Sequence, residues 1–372
     1  MERVMEYGFA TRGVVWGLGT VLMLAACGTE EPDDGMTSAA EASGGDAGDD
    51  ADGPATSDDP GEGSGAPATT DAADTDANDD DTPGDDTAGE DEGTDDGSTG
   101  EPGDDTGPTD EPGPDLRDAG PFSVDITSGN AQLPTGCSMG YDQYSPAGQA
   151  DAPVVVLAHG FMGNRSTMTG WAEHWASWGL TVVAPDLCHA TILDADHPQN
   201  GADLRALVIE LGLGPVIYSG YSAGGLAAML AAAEDDQTVA LLGLDMVDNN
   251  GMGAAAAANI DVPAFAIAGE PSACNESSNG PPIFLSTPQG LALRITEADH
   301  CDFQSPADFL CGLTCSGTNA QFDDASIQAA VRGLSTAVVT WHSGIEPTGT
   351  QWWTPGAPYY EELFDLGIVQ VP

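Results

Sequence analysis

The stretch "VIYSGYSAGGLAAML", Val216–Leu230, runs from apolar residues of strand type, through a glycine-flanked serine, into an alanine-rich run. Its centre, "GYSAG" (Gly220–Gly224), reads G-x-S-x-G. In a chain with 49 glycines the pattern alone means little. Its setting adds weight, because an apolar β run, the motif and then a helix of small residues form the turn that lifts a serine out of a sheet's carboxyl edge. Gly220 and Gly224 leave room where a Cβ would crowd the neighbouring strand and helix. Ser222 is therefore the candidate nucleophile. The N–H of Ala223, at the helix N-terminus, is a candidate donor to an oxyanion.

The surrounding segments repeat the same alternation. "APVVVLAHG" (Ala152–Gly160) is a continuous apolar run of the kind buried on both faces of a sheet. A helical stretch follows, with Trp171, Trp175 and Trp178 on one face, read as core packing. "LTVVAPDLC" predicts a strand, "NGADLRALVIELG" a helix, and "VALLGLDMVD", "VPAFAIAGE" and "LALRITEADH" further strands. A late helix covers about Ala325–His342, and "GPFSVDI" and "SMGYDQYSP" read as short strands leading in. Strands alternating with helices predict an α/β fold, a mostly parallel doubly wound sheet with helices on both faces.

A serine nucleophile needs a base titrating near neutrality and an acid behind it. Of the six histidines, His300 in "EADHCDF" alone follows both the motif serine and the end of a C-terminal strand. It is the candidate base. The acid must follow a strand between Ser222 and His300. Asp245 at the end of its apolar run is the first choice, with Glu270 and Asp248 as alternatives. "AHGFMG" (Ala158–Gly163) lies on the loop after an earlier strand, where Phe161 N–H can oppose Ala223 N–H as the second oxyanion donor. His159 reads as a structural histidine beneath that loop. His189, just past a strand end, is a candidate pocket wall. "NNGMGAAAAAN" (Asn249–Asn259) reads as a flexible or small-walled segment that suits an open cleft for bulky or polymeric esters.

Composition bounds the rest. The 372 residues carry 61 acidic side chains against seven basic ones, a formal net charge of −54. With no basic patch to neutralise phosphates, nucleic-acid binding is excluded. About half of the acidity lies between Gly28 and Asp118, a tract of Asp, Glu, Gly, Thr, Ser, Pro and Ala. It buries too little apolar surface to offset its ordering entropy, so residues 27–118 read as a disordered acidic linker. Before it, Arg3 and Arg12 precede a short apolar run ending in "LAAC" (Leu24–Cys27), which matches the bacterial lipobox. Residues 1–26 then form a signal peptide, and Cys27 is the lipid attachment site holding an exported protein to the membrane. Gly28, in place of a retention-type aspartate, points to the outer membrane, facing the cell surface or the periplasm. Residues 119–372 are the catalytic domain, expected to be a monomer.

The other six cysteines are Cys137, Cys188, Cys274, Cys301, Cys311 and Cys315. An even number in an exported domain predicts up to three disulfides, with Cys311–Cys315 a plausible local pair. No CxxC or paired-histidine spacing accompanies them, so no metal is expected, and nothing calls for an organic cofactor.

From about Gly120 to His342 the chain resembles an α/β-hydrolase, nearest the chlorophyllase-like and cutinase-like (polyester hydrolase) branch. The residues involved are "GPFSV", "YSPAG", "VVVLAHGF", "LTVVAPDL", "GYSAGG", "LLGLDMVD" and "ADHCDF". The resemblance implies an α/β-hydrolase fold and serine ester hydrolysis, with the acid at Asp245 and the base at His300. Met246 and Ala223 stand where chlorophyllase-like enzymes usually have Pro and often Arg. Those departures argue against chlorophyll as substrate and leave ester hydrolysis intact. The alternative expectation is a hydrolase-like surface lipoprotein that binds a ligand or partner without turnover.

Overall fold

The computed structural model describes residues 111–372. Residues 1–26, read above as a signal peptide, Cys27 and nearly all of the acidic tract lie outside the described residues.

The strands in chain order are β1 (Val124–Gln132), β2 (Ser138–Pro146), β3 (Val154–Ala158), β4 (Thr181–Pro185), β5 (Ala190–Thr191), β6 (Asp194–Ala195), β7 (Val216–Tyr221), β8 (Thr238–Leu244), β9 (Ala264–Ala268), β10 (Gly290–Ile295) and β11 (Val369–Gln370). Nine of them form one sheet in the order β1-β2-β4-β3-β7-β8-β9-β10-β11, while β5 and β6 make a separate hairpin. The run from β4 to β10 is parallel, and the flanking strands β1, β2 and β11 pair antiparallel. Central strands read as unbroken apolar runs because both faces are covered. All six residues of β7 are buried.

The helices are α1 (Thr169–Ser177), α2 (His197–Glu210), α3 (Ala223–Ala232), α4 (Met252–Ala256), α5 (Pro281–Leu285), α6 (Phe309–Thr314), α7 (Asp324–His342) and α8 (Pro358–Asp365). Trp171 and Trp175 of α1, with Val331, Leu334 and Val338 of α7, fill the core on one face of the sheet. Leu204 and Val208 of α2, with Leu226 and Met229 of α3, fill the other. This is the doubly wound arrangement expected from the alternation of segments. The chain goes from β3 to β4 on one side and to β7 on the other, so the strand order reverses between β3 and β7. Ligands of open α/β sheets bind at the carboxyl ends of strands flanking such a switch point.

Three expectations are corrected. The linker boundary at Asp118 falls inside the folded body, since Leu116 is fully buried and Gly113 N–H donates to Gln351 Oε1 at 2.9 Å. Arg117 pairs with Asp115 (2.7 Å) and Glu362 (2.8 Å) and lies over the Trp352 ring. A leucine and an arginine are what this end of an otherwise small and acidic tract offers for burial and pairing. Second, Cys311 and Cys315 do not pair. The disulfides are Cys137–Cys188, Cys274–Cys315 and Cys301–Cys311. Residues four apart on one helical turn send their Cα–Cβ bonds in nearly the same direction, so the two sulfurs of α6 and its cap reach different partners. Third, of the two readings of Asn249–Asn259, the flexible one does not hold. It folds into α4 and a following 3-10 turn, with Asp248 Oδ1 accepting from Gly253 N–H at 2.7 Å.

Candidate active site

Ser222 sits between β7 and α3 with φ 54° and ψ −123°, left-handed backbone that a serine adopts only when its neighbours enforce it. The glycines show what enforces it. A Cβ on Gly220 would lie 2.3 Å from Gly224 O, and one on Gly224 would lie 2.3 Å from His159 O. Strand, turn and helix are therefore packed backbone to backbone, and Ser222 has no other way through. The loop after β3 presses against the same turn, since a Cβ on Gly160 would be 2.8 Å from the Tyr221 ring and 3.1 Å from Ser222 Cβ.

His300 lies in the 3-10 turn after β10, 6 % exposed. Its Nε2 is 3.0 Å from Ser222 Oγ and its Nδ1 is 2.6 Å from Asp245 Oδ2. The Tyr221 ring packs against the imidazole at 4.8 Å between centroids. Asp245 follows β8 directly and is 1 % exposed. It also accepts from Gly269 N–H (3.0 Å) and from the Asn275 side chain, so the buried carboxylate is fully partnered. The other two acids are engaged elsewhere. Asp248 caps α4, and Glu270 Oε1 accepts from Glu297 N–H and Gln370.

Among the described residues, neither Phe161 N–H nor Ala223 N–H has an acceptor. Between them the loop is held in place: Met162 N–H donates to Ala190 O of the β5–β6 hairpin at 2.7 Å, and Gly163 N–H to Gly160 O. His159 beneath it is buried. Its Nε2 accepts from Leu187 N–H (2.9 Å), which leaves Nδ1 protonated to donate to Gly160 O (2.8 Å). Burial keeps this ring below the usual imidazole range, hence neutral and suited to that tautomer. It is a support for the loop, as its place in the sequence implies. His189 turns to Asp194 (2.9 Å) and, more distantly, to buried Asp203, and makes no hydrogen bond to Ser222, His300 or Asp245.

The described residues contain one cluster of potential metal ligands, Cys137, Cys188 and Asp203, and its two sulfurs are bonded to each other. No helix among the described residues is long and apolar enough to cross a membrane. Sequence reasoning missed two features of the site. Asn275, wholly buried, reaches Asp245 from a loop with no apolar pattern to mark it. The indole N–H of Trp171 donates to Phe303 O at 2.8 Å, tying the core helix to the end of the His300 turn.

A serine whose hydroxyl faces an imidazole, itself backed by a buried carboxylate, beside two unpaired N–H groups, is equipped for acyl transfer. A search of curated proteins returned no match to the chain. A family model described as "Alpha/beta hydrolase family" matches residues 155–364. These residues span the sheet from β3 to β10 and include Phe161, Ser222, Ala223, Asp245 and His300, and the chain belongs to the alpha/beta hydrolase family.

Proposed function

We propose that this hydrolase is a serine esterase, exported and lipid-anchored through Cys27, that cleaves carboxylic esters by way of an acyl-enzyme. The observation that carries the reading is the continuous relay from Ser222 Oγ through His300 to Asp245, at 3.0 and 2.6 Å. His300 Nε2 takes the Ser222 proton as Oγ attacks the acyl carbonyl carbon. The oxyanion lies against Phe161 N–H and Ala223 N–H. The imidazolium, stabilised by Asp245, protonates the departing alkoxide and the alcohol leaves. Water then gives a proton to Nε2 and attacks the acyl carbon. Ser222 recovers its proton and the acid is released.

The resemblance to chlorophyllase-like and cutinase-like enzymes supports an ester as the bond cleaved. Exposed apolar side chains on the oxyanion loop and on the hairpin hydrogen-bonded to it support a bulky, poorly soluble one. Phe161 and Met162 on the oxyanion loop and Ile192 and Leu193 on the β5–β6 hairpin are all exposed. The three disulfides agree with export.

The test is active-site labelling of the full oxidised chain. A fluorophosphonate should label Ser222, and short p-nitrophenyl esters should be hydrolysed. Ser222→Ala should lose both, and a panel of acyl lengths and polyesters then ranks substrates. Folded, oxidised protein that neither labels nor turns over would overturn the reading in favour of a ligand-binding surface lipoprotein. Loss of the chain from the membrane fraction in Cys27→Ser tests the anchor separately.

A further inference from the structure

Asn275 occupies an unusual place for an amide. It is 0 % exposed, on the loop after β9, and every polar atom of its side chain is used. Nδ2 donates to Asp245 Oδ2 (3.2 Å) and Oδ1 (3.3 Å) and to Glu270 O (2.9 Å). Oδ1 accepts from Ser272 N–H (2.8 Å) and Ser278 N–H (2.9 Å). Two N–H donors on one side and two acceptor groups on the other leave a single orientation for the amide.

The loop that delivers it is strained. Glu276, Ser277 and Ser278 take φ values of 49°, 60° and 59°, three consecutive non-glycine residues in the left-handed region. Such residues cost on the order of 1–2 kcal/mol each. Strain of this kind persists where the surroundings over-determine it. Here the surroundings are the two N–H bonds into Asn275 Oδ1 and the disulfide from the preceding Cys274 to Cys315. The product of the turn is one amide donor placed on the carboxylate that backs His300.

We propose that Asn275 is a positioning residue for the reaction, fixing the rotation of Asp245 so that its Oδ2 stays on His300 Nδ1. Gly269 N–H restrains one oxygen of the carboxylate, and Asn275 spans both. Without the amide the acid keeps a single further donor and turns about its Cβ–Cγ bond. The imidazole that it orients then loses its aim at Ser222. This proposal rests on the serine-esterase reading for its kinetic consequence, but the geometry it concerns exists apart from turnover.

Asn275→Asp is the informative variant. It keeps an oxygen for Ser272 N–H and Ser278 N–H, so the loop retains its internal bonds, but it removes the donor and sets a second acid against Asp245. At pH 8, kcat for a p-nitrophenyl ester should fall about tenfold to a hundredfold with KM little changed, as expected for lost alignment of the relay. The far-downfield proton resonance of the His300–Asp245 hydrogen bond should shift or broaden. Asn275→Ala should lower kcat too, with a lower melting temperature because the loop loses its caps. An unchanged kcat and an unchanged downfield resonance in folded Asn275→Asp would refute the positioning role. If the wild-type chain neither labels nor turns over, the esterase reading fails. The resonance then decides the clamp on its own: a shift or broadening in Asn275→Asp supports it, and an unchanged resonance refutes it.

Discussion

The two halves of the candidate site are built by different means. Ser222, Ala223 and Phe161 lie where β3, β7 and α3 pack backbone to backbone, and a missing Cβ at Gly220 and Gly224 is the device that holds them. Asp245 and His300 stand at the ends of β8 and β10, and the loops around them are secured by side-chain hydrogen bonds and cross-links. Cys301, next to His300, is bonded to Cys311 of α6, and Cys274, next to Asn275, is bonded to Cys315 at the end of the same helix. One short helix is thus joined covalently to both the base's turn and the acid's clamp. The nucleophile half depends on shape and packing within the core. The acid–base half depends on oxidation and on a few polar contacts.

That contrast can be tested by breaking each half separately. The largest effect is expected for Asp245→Asn. It preserves the shape but puts an amide opposite His300 Nδ1, and kcat should drop about 10⁴-fold, measured with a p-nitrophenyl ester under saturating conditions. A merely tenfold loss would mean that another group backs the imidazole. Next comes Gly224→Ala, whose Cβ would press on His159 O and Ala158 O. Forced apart, α3 and β3 should cost about 3 kcal/mol of unfolding free energy in a denaturant titration, and the fluorophosphonate label should disappear with the turn. Wild-type stability would show that the elbow tolerates a side chain and that packing does not hold it.

Removing a cross-link should spare the nucleophile half. Cys274→Ala with Cys315→Ala should lower stability by about 2 kcal/mol and slow labelling, while the core tryptophan spectrum stays native. Cys274–Cys315 borders a solvent-filled cleft of about 430 Å³ lined also by Glu270, Glu297 and Asp299, whereas Cys301–Cys311 is buried. Mild reductant should therefore cut Cys274–Cys315 first, and peptide mapping of alkylated protein would show the order.

The smallest expected effect comes from pH. Burial, with Asp299 and Asp324 nearby, pushes the Asp302 carboxyl up to about 7. Its proton is held more tightly in the folded chain than in the unfolded one. Its contribution to stability is therefore full below about pH 4 and is lost as pH rises toward 7. Asp302→Asn keeps an oxygen for Asp299 N–H, which Asp302 accepts at 2.8 Å, and should raise the melting temperature at pH 8 by a few degrees while leaving it unchanged at pH 4. A wild-type curve flat from pH 4 to 8 would remove this residue from the account.

Much of this was legible in the chain. The central strands announced themselves as unbroken apolar runs, and the G-x-S-x-G turn lay where strand met helix. His300 was singled out by its position after a strand, and His159 by its place under a Gly-rich loop. Four short helices were not read, α4, α5, α6 and α8, because none is long enough to show a helical period. The tie of Arg117 to Glu362 and the burial of Leu116 depend on residues far away in sequence, so composition alone places the boundary of the folded body too late. Asn275 was invisible for the same reason. Its loop is polar and small, and its purpose lies thirty residues upstream at Asp245.

What the sequence by itself determined are the properties set by neighbours along the chain. These are the alternating elements, the faces they bury, the glycines around Ser222 and the order of serine, acid and histidine. Tertiary structure alone decided which of three acids meets His300, which cysteines pair across α6, and which amide steadies the carboxylate. Periodicity and steric exclusion act between residues a few positions apart, and so they are written locally. A hydrogen bond or a disulfide is specified by direction and distance between distant segments, and those exist only once the sheet has set where each loop begins.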